Sequence, residues 1–336
     1  MKNVLFVVDA SNRLGMGHVS RCLEISRLLR NKKINSHFLI NRNNKIIELL
    51  SQKKTQFSIL FEHQTIFSNI RTICIKKKIS CIIIDLRKKL SKEFFMKLRE
   101  ISKTVIIVNN TSKNIFNSDL IIFPEIKEQY TSKLLKNKSK NILIGAKYAI
   151  LNNNYEQKTI QKKDSILISM GGSDKSNITE KLITEFKKSD CNFKVNVVIG
   201  KFFSNPKKII AKVSNDKRFT IIKDVNNLIP LMHNAKIGIF MFGITTYEAL
   251  SVGLPAIVMT HSKENDIAAK KLSPYDCIYY LGYFNSVNVK KVPAITFSLL
   301  KNPKTLKKMG KNGGEIVDGK GSLRVTNNII KLIKSK

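Results

Sequence analysis

The sequence predicts an α/β protein made of two doubly wound parallel sheets. Short apolar runs alternate with stretches of helical apolar spacing, at intervals of about 25 residues, through the first half of the chain. The same alternation starts again after a polar stretch near residue 155. Because 336 residues are enough for two cores, the two series of elements predict two domains.

In the first half, five apolar runs have the length and composition of buried parallel strands. Four segments with apolar residues at helical spacing lie between them. Pro124 closes the last of these runs. The predicted strands are 4–8, 37–40, 81–84, 105–108 and 120–123, and the predicted helices are 18–31, 43–52, 65–77 and 91–102.

A polar run at 152–163 predicts a linker, which assigns 1–155 to a first domain and 156–336 to a second. Two similar halves facing each other across a linker predict a cleft, a common place for a small-molecule site. The predicted strands of the second half are 165–170, 195–199, 219–222, 237–240 and 256–259, and its predicted helices are 176–187, 206–213, 245–251, 263–272, 303–311 and 323–333.

The chain is strongly basic, with 60 Lys and Arg residues against 24 Asp and Glu residues and a net charge of +36. Such an excess suits nucleic acid or an anionic membrane surface. The basic residues are spread over the whole length, however, together with many Ile and Asn residues, which is typical of a genome rich in A and T. We therefore favour compositional bias over a dedicated polyanion site, and we expect no nucleic-acid partner.

The five cysteines are odd in number and scattered, and no pair has the spacing of a zinc or redox motif. Reduced thiols in a cytoplasmic protein are the expected state. Asp9 interrupts the first apolar run too early for a signal peptide. No run of about 18 apolar residues is present, so no membrane span is expected.

The segment 9–22 joins the first predicted strand to the first predicted helix and carries the strongest chemical signal. Gly15 and Gly17 lie in the turn, and His18 lies at the mouth of the helix. A helix N-terminus presents unpaired N–H groups to an anion, and its field favours the neutral imidazole that a general base requires. An equally weighted alternative is that the glycines only allow a tight turn and that His18 caps it.

Three polar residues, Asp9, Asp85 and Asn109, each follow a predicted strand of the first half. The carboxyl ends of parallel strands form the edge of the sheet where ligands bind in doubly wound folds. These residues therefore predict a functional edge, and helix capping is the alternative for each of them taken alone.

A second strand–turn–helix connection follows the predicted strand 165–170. Its residues Gly171, Gly172 and Ser173 are small enough for a ligand to approach the backbone N–H groups. Ordinary N-capping by Ser173 and Asp174 is the alternative.

A third connection follows the predicted strand 237–240. Gly243 and Thr245 open a helix whose N-terminus suits a diphosphate, and Glu248 lies one turn further on, where it can accept hydrogen bonds from a ribose diol. An ordinary surface position for Glu248 is the alternative.

Four segments in this order resemble those of the hydrolases of pseudaminic acid biosynthesis and their spore-coat polysaccharide relatives. The resemblance covers nearly the whole chain. It implies the GT-B arrangement of two Rossmann-like domains facing across a cleft, as in the peptidoglycan transferase MurG. The segments are 9–21, 170–174, 247–255, and the turn 318–321 with Arg324.

The resemblance implies that water cleaves the bond between UDP and a 2,4-diacetamido-2,4,6-trideoxyhexose. His18 matches the general base of the family, and neither a metal nor a cofactor is implied. We expect a monomer that acts on this small molecule. The positions implied or predicted to bind it are Asp9, Gly15, Gly17, Arg21, Gly171, Gly172, Ser173, Gly243, Ile244, Thr245, Glu248 and Asn265.

The sequence departs from the family pattern at three positions. Leu86 follows Asp85 where the family often has His or Tyr, Asn109 stands where acidic residues are usual, and Phe242 replaces a glycine. The first two changes concern the sugar more than the fold or the UDP site. The expected function is UDP-sugar hydrolysis for a nonulosonic acid pathway. A GT-B glycosyltransferase of surface polysaccharide synthesis is the alternative, and nucleic-acid binding ranks last.

Overall fold

Two compact units make up the structure, one formed by Met1–Asn153 with Lys320–Lys336 and the other by Asn154–Gly319. Each unit contains one parallel sheet flanked by helices. Among the described residues, no helix combines the length and apolar character that crossing a bilayer requires. The computed structural model describes residues 2–9, 17–61, 63–124, 141–151, 165–174, 176–190, 192–200, 202–223, 225 and 227–336.

The described strands of the first unit are β1 (Asn3–Val8), β2 (Asn35–Ile40), β3 (Gln56–Ile59), β4 (Ile79–Asp85), β5 (Thr104–Val108), β6 (Leu120–Phe123) and β7 (Asn141–Ile144). They form one seven-stranded parallel sheet in the order β3-β2-β1-β4-β5-β6-β7. Its described helices are α1 (Gly17–Arg30), α2 (Asn44–Gln52), α3 (Ile66–Lys77), α4 (Lys92–Ile101) and, from the C-terminus, α12 (Gly321–Ser335).

The central strand β1 shows how the first sheet is buried on both faces. Every residue from Val4 to Val8 is apolar and fully buried. Because side chains alternate along a strand, Phe6 packs with residues of α1, α2 and α12, whereas Val7 packs with residues of α3 and α4. Phe6 also stacks on Phe38 of β2, with ring centroids 4.8 Å apart. The carboxyl end of β1 is thereby fixed between two cores.

Side-chain caps define where several of these helices begin. Asn43, Thr65 and Ser91 precede α2, α3 and α4, and each side-chain oxygen accepts from the backbone N–H three residues later. Such a cap satisfies one of the N–H groups that a helix leaves unpaired in its first turn.

The C-terminal helix α12 packs on the first unit, although the sequence predicted that 156–336 forms the second domain. Ser322 Oγ donates to the carbonyl of Leu151 over 2.5 Å. A Cβ on Gly321 would lie 2.8 Å from the backbone nitrogen of Ala149, so the chain approaches this segment closely. The turn 318–321, which resembles the family's C-terminal signature, is therefore the point where the chain returns to the first unit.

The described strands of the second unit are β8 (Ser165–Ser169), β9 (Lys194–Ile199), β10 (Phe219–Lys223), β11 (Ile237–Met241), β12 (Ala256–Thr260) and β13 (Ile278–Tyr283). They form a six-stranded parallel sheet in the order β10-β9-β8-β11-β12-β13. Its described helices are α5 (Ile178–Lys188), α6 (Pro206–Val213), α7 (Ile229–His233), α8 (Ile244–Ser251), α9 (Lys263–Leu272), α10 (Val292–Leu300) and α11 (Pro303–Ile316).

The predicted fold class, two doubly wound parallel sheets, is confirmed. The core of the second unit joins β8, β9 and β11 to the apolar faces of α5 and α10, where Phe186 and Phe297 meet edge to face. Strands β3, β7 and β13 and helices α7 and α10 are elements that the sequence did not predict.

Candidate functional site

The connection from β1 to α1 is the part of the first unit where the sequence places the general base. Helix α1 begins at Gly17, with His18 in its first turn. Asp9 follows β1, and its N–H donates to the carbonyl oxygen of Asp85, at the end of β4, over 3.2 Å. Gly15, also predicted to bind substrate, lies outside the described residues. The carboxyl ends of β1 and β4 thus meet at His18.

The imidazole of His18 pairs with the carboxylate of Asp85 inside the first unit. His18 Nδ1 lies 2.7 Å from Asp85 Oδ1. Asp85 is fully buried, and His18 keeps 6% of its surface exposed. Because an ionised carboxylate can only accept, Nδ1 carries the proton in this pair, and Nε2 is the acceptor nitrogen of the neutral ring. Asp85 therefore selects the tautomer that a general base needs.

Arg21 lies one turn after His18 on α1 and holds the same carboxylate. Its Nε contacts Asp85 Oδ2 and its Nη2 contacts Asp85 Oδ1, each over 2.5 Å. Nη2 also lies 3.0 Å from His18 Nδ1. This two-point contact fixes the plane of the carboxylate. Arg21, predicted from the resemblance to bind substrate, is only 4% exposed and directs its guanidinium to Asp85.

The charges of this cluster determine which of its members are ionised. Burial raises the pKa of Asp85, but the charges and hydrogen bonds of Arg21 and His18 outweigh burial and hold that pKa well below its usual range. Cys22 Sγ lies 3.5 Å from Asp85 Oδ2, and burial together with the Asp85 charge raises the pKa of this thiol well above its usual range. Asp85 is therefore a carboxylate and Cys22 a neutral thiol near pH 7.

The loop after β4 carries the first departure from the family pattern. Leu86 is 4% exposed and packs in the core, whereas Arg87 is exposed. The side-chain amide of Asn110, which the sequence did not single out as a site residue, donates to the carbonyls of Leu86 over 2.5 Å and Lys88 over 2.9 Å. Asn109 has a φ of 51°, in the left-handed region, and turns the chain after β5. At this edge of the sheet, Leu86 thus adds an apolar side chain to the core, whereas Asn109 turns the backbone.

In the second unit, the loop after β8 contains the predicted residues Gly171, Gly172 and Ser173. Gly171 has a φ of 86°, a conformation that favours glycine. The carbonyl of Gly172 accepts from the N–H of Phe202 over 2.9 Å, and a Cβ on Gly200 would lie 2.5 Å from it. Gly200, which the sequence prediction did not include, therefore allows the loops after β8 and β9 to touch. A glycine directly after an apolar strand is the signal that could have indicated it.

Asp174 lies four residues before the start of α5 and bonds to its first turn. Its Oδ1 accepts from the N–H of Ile178 over 3.0 Å, and its Oδ2 accepts from the N–H of Thr179 over 2.6 Å. Asp174 is 7% exposed. The N-cap residue of α5 is Asn177, so Asp174 is not an ordinary N-cap, although its carboxylate satisfies two N–H groups of the first turn of the helix.

The start of α8 has the features that an anion requires. No side chain caps its first turn, where Gly243 occupies the N-cap position and Thr246 N–H donates to Gly243 O over 3.0 Å. A Cβ on Gly243 would meet no atom within 4 Å. Ile244 and Thr245 begin the helix, and Glu248 lies half-buried one turn further on. Backbone N–H groups thus adjoin open space at a helix N-terminus.

Asn265, in the first turn of α9, lies beside this loop. Its Nδ2 donates to the carbonyl oxygen of Phe242 over 2.8 Å. Phe242 stands where the family has a glycine, and its side chain is 2% exposed. Asn265 therefore contacts the backbone of the residue immediately before Gly243.

The two units offer different chemistry. The first unit presents a histidine with an ionised carboxylate on Nδ1, an arrangement that can take up a proton on Nε2. The second unit presents backbone N–H groups that can bind a phosphate group. Within the described ranges, no three His, Cys, Asp or Glu side chains are grouped closely enough to hold a metal ion.

Sequence comparison relates the chain to known proteins. Residues 152–315 match the family described as glycosyl transferases group 1. An uncharacterized protein of Methanocaldococcus jannaschii is 27% identical over 272 residues, which are 76% of this chain and 55% of that protein, so this chain spans about half the length of that relative. The spore coat polysaccharide biosynthesis protein SpsG of Bacillus subtilis is 24% identical over 335 residues, 95% of each chain.

Structural comparison gives a match over the full length. The crystal structure of MurG from Acinetobacter baumannii has a TM-score of 0.71 and 14% sequence identity, and the match covers 98% of this chain and 100% of that chain. At this level of identity the likeness establishes the fold and not the reaction.

Proposed function

From the GT-B fold and the match of residues 152–315 to the family described as glycosyl transferases group 1, we propose that the chain hydrolyses a UDP-linked 2,4-diacetamido-2,4,6-trideoxyhexose to the free sugar and UDP. The free sugar would supply nonulosonic acid biosynthesis. The observation that carries the proposal is the 2.7 Å pair of His18 Nδ1 and Asp85 Oδ1. A histidine held in this way is suited to activating water.

In the proposed reaction, the oxygen of a water molecule attacks the anomeric carbon of the sugar. His18 Nε2 takes the proton of that water, while the bond between the anomeric carbon and the diphosphate oxygen breaks and its electron pair leaves with UDP. Asp85 stabilises the imidazolium that forms, because its carboxylate already accepts the Nδ1 proton. Arg21 keeps that carboxylate ionised and oriented.

The second unit would bind the leaving group. The N–H groups at the start of α8, from Gly243 to Thr245, would donate to the diphosphate and stabilise the charge it gains. The loop from Gly171 to Ser173 would supply further N–H groups, and Glu248 would accept from the ribose hydroxyls.

Incubation of the purified protein with the UDP-diacetamido sugar tests the proposal. Free UDP and free sugar should appear in equal amounts, measured by phosphorus NMR and by chromatography. His18→Ala should lower the rate roughly 10²–10⁴-fold, since it removes the base.

A matched control is His37→Ala, which changes another buried histidine of the first unit, one whose Nε2 bonds to Ser58 Oγ at 2.8 Å. This variant should keep the hydrolytic rate per folded molecule. Absence of UDP release by the wild type, or full activity of the His18 variant, would contradict the proposal.

A glycosyltransferase on the same fold is the second candidate, and the loop after β4 favours it. Leu86 lies in the core at a position where the resembled family often has His or Tyr, so its side chain offers no polar group to hold a water molecule. A hydroxyl of a sugar or lipid acceptor would then replace water at His18. UDP release that requires an added acceptor would support transfer and exclude simple hydrolysis.

A further inference from the structure

We propose that Asn265 is a positioning residue that turns the N–H of the Phe242–Gly243 peptide toward the diphosphate of the nucleotide. This inference rests on the proposed function and assigns Asn265 an action through the backbone rather than through contact with the substrate.

Phe242 is held from three sides. Its N–H donates to the carbonyl of Met259, at 2.8 Å, which ties it to β12. Its carbonyl oxygen accepts from Asn265 Nδ2, also at 2.8 Å. Its ring is buried against Tyr247 of α8, with centroids 5.8 Å apart and planes at 70°. Of these three contacts, the hydrogen bond from Asn265 is the one that sets the direction of the Phe242 carbonyl.

The direction of that carbonyl determines the direction of the next N–H. A trans peptide is planar, so the N–H of Gly243 points opposite to the C=O of Phe242. With the carbonyl directed at α9, the N–H points away from α9. Space for a ligand exists beside this residue, because a Cβ on Gly243 would meet no atom within 4 Å. Rotation of the peptide in the absence of Asn265 would bring the carbonyl oxygen toward the anion and repel it.

Helix α9 is anchored so that Asn265 keeps its place. Ser262 Oγ accepts from the N–H of Asn265 over 3.2 Å and caps the helix. The next residue, Asp266, accepts from the hydroxyl of Tyr280 on β13. Burial and the Asp266 bond raise the pKa of Tyr280 to about 12, so this hydroxyl remains a donor at neutral pH. Thr260 Oγ1, 3.1 Å from the same hydroxyl, connects the network to the end of β12.

The experiment measures UDP affinity and the state of the peptide separately. Asn265→Ala should weaken UDP binding about 10- to 100-fold by calorimetry, since it frees a hydrogen-bonded peptide to rotate. Uridine, which has no phosphate, should bind as before. The chain has 15 glycines, so labelling with ¹⁵N-glycine gives a simple amide NMR spectrum. In the ligand-free Asn265→Ala variant, the Gly243 cross-peak of this spectrum should move. The spectrum of Gly243→Ala identifies that peak by its absence.

Asn312→Ala is the matched control, because Asn312 Nδ2 also donates to a backbone carbonyl of the second unit, that of Tyr275, over 2.7 Å. It should change neither UDP affinity nor the Gly243 peak. Tyr280→Phe is a milder variant that keeps Asn265 and loosens α9, and it should weaken UDP binding about threefold.

Two results would overturn the inference. One is unchanged UDP affinity in Asn265→Ala or, if that variant does not fold, in Tyr280→Phe. The other is weaker UDP binding with an unmoved Gly243 peak, because this would mean that Asn265 contacts the phosphate itself. UDP binding without hydrolysis would contradict the proposed function alone, whereas failure of the wild type to bind UDP would contradict both.

Discussion

Replacement of Asp85 by Asn is the most direct perturbation of the cluster in the first unit. The new side chain keeps the size of the carboxylate but loses its charge and offers only one acceptor oxygen. Asp85 now receives contacts at 2.7, 2.5 and 2.5 Å from His18 Nδ1, Arg21 Nε and Arg21 Nη2. In the variant, the guanidinium of Arg21, 4% exposed, loses its buried counter-charge.

The magnitude of the destabilisation follows from the loss of this buried ion pair. Removing one partner of a buried ion pair costs about 3–5 kcal/mol, and we expect the lower end because Asn retains one acceptor. This loss is a large part of the free energy of unfolding of a typical domain, which is about 5–15 kcal/mol, but does not by itself unfold one. The hydrolytic rate should fall roughly 10²–10⁴-fold, since His18 loses the group that selects its tautomer.

The effect should depend on pH with a definite sign. Since the folded-state pKa of Asp85 is lowered, its ionisation contributes stability above the unfolded-state pKa of about 3.9, and this contribution is lost as the pH falls below that value. The difference in unfolding free energy between wild type and Asp85→Asn should therefore be full at pH 7 and shrink below about pH 4.

Urea unfolding followed by circular dichroism is the suitable assay, because the chain contains no Trp. Asp119→Asn is the control in the same unit. Asp119 pairs with Arg99 over 2.6 Å and with Lys336, and both cations are about a third exposed, so each pair contributes about 1 kcal/mol or less. The Asn side chain can still accept from the N–H of Val105, which now donates to Asp119 Oδ2 over 2.8 Å. A loss below 1 kcal/mol in Asp85→Asn, or one that does not diminish in acid, would refute the account of the cluster.

Two further pairs of substitutions test the second unit's site and the C-terminal helix. Gly243→Ala should fold as the wild type but bind UDP about tenfold more weakly. Gly310→Ala should instead destabilise the protein and leave UDP binding unchanged, because the new Cβ would collide with the carbonyl of Gly253. Thermal unfolding measures the stability of each variant, and calorimetry measures its affinity for UDP. Ile329→Ala, fully buried on α12, should cost about 2–5 kcal/mol by urea unfolding, and Leu323→Ala, 44% exposed on the same helix, about 0.5 kcal/mol or less. Equal effects in either pair would contradict these assignments.

The strands that the sequence predicted and those it missed differ in their place in the sheet. The central strands β1, β4, β5, β8 and β11 read as continuous apolar runs because both of their faces are covered. The three missed strands, β3, β7 and β13, all lie at sheet edges. β3, for example, has Gln56 exposed and its other residues only half-buried, so its composition resembles that of a loop.

The position of α12 shows a second kind of information that local pattern does not contain. Its helical periodicity was predicted correctly at 323–333, within the observed Gly321–Ser335. Periodicity indicates that an apolar face is buried but not which sheet covers it. Val325, Ile329 and Ile333 pack in the core of β1 and β2, far away in the sequence.

The direction of polar side chains is the third feature that the motifs could not reveal. Arg21 and Asp174 belong to motif segments and Asn265 is one of the implied binding positions, and each of the three is hydrogen-bonded to a group of its own unit. Burying a polar group costs free energy unless the group is hydrogen-bonded. The polar side chain of a motif residue near a core therefore forms hydrogen bonds within the protein rather than with a ligand. The polar atoms that allow a side chain to bind a ligand also allow it to cap a helix or to donate to a backbone carbonyl.

His18 differs from these residues because an imidazole has two nitrogens with separate roles. Asp85 can hold Nδ1 while Nε2 keeps its capacity to take a proton, so a single side chain is both anchored and reactive. The phosphate donors proposed for the second unit are backbone N–H groups, which every residue except Pro carries and which a sequence does not display. A motif read from side chains therefore identifies chiefly the residues that position such a site, and the geometry of the neighbouring backbone is needed to find the atoms that meet the ligand.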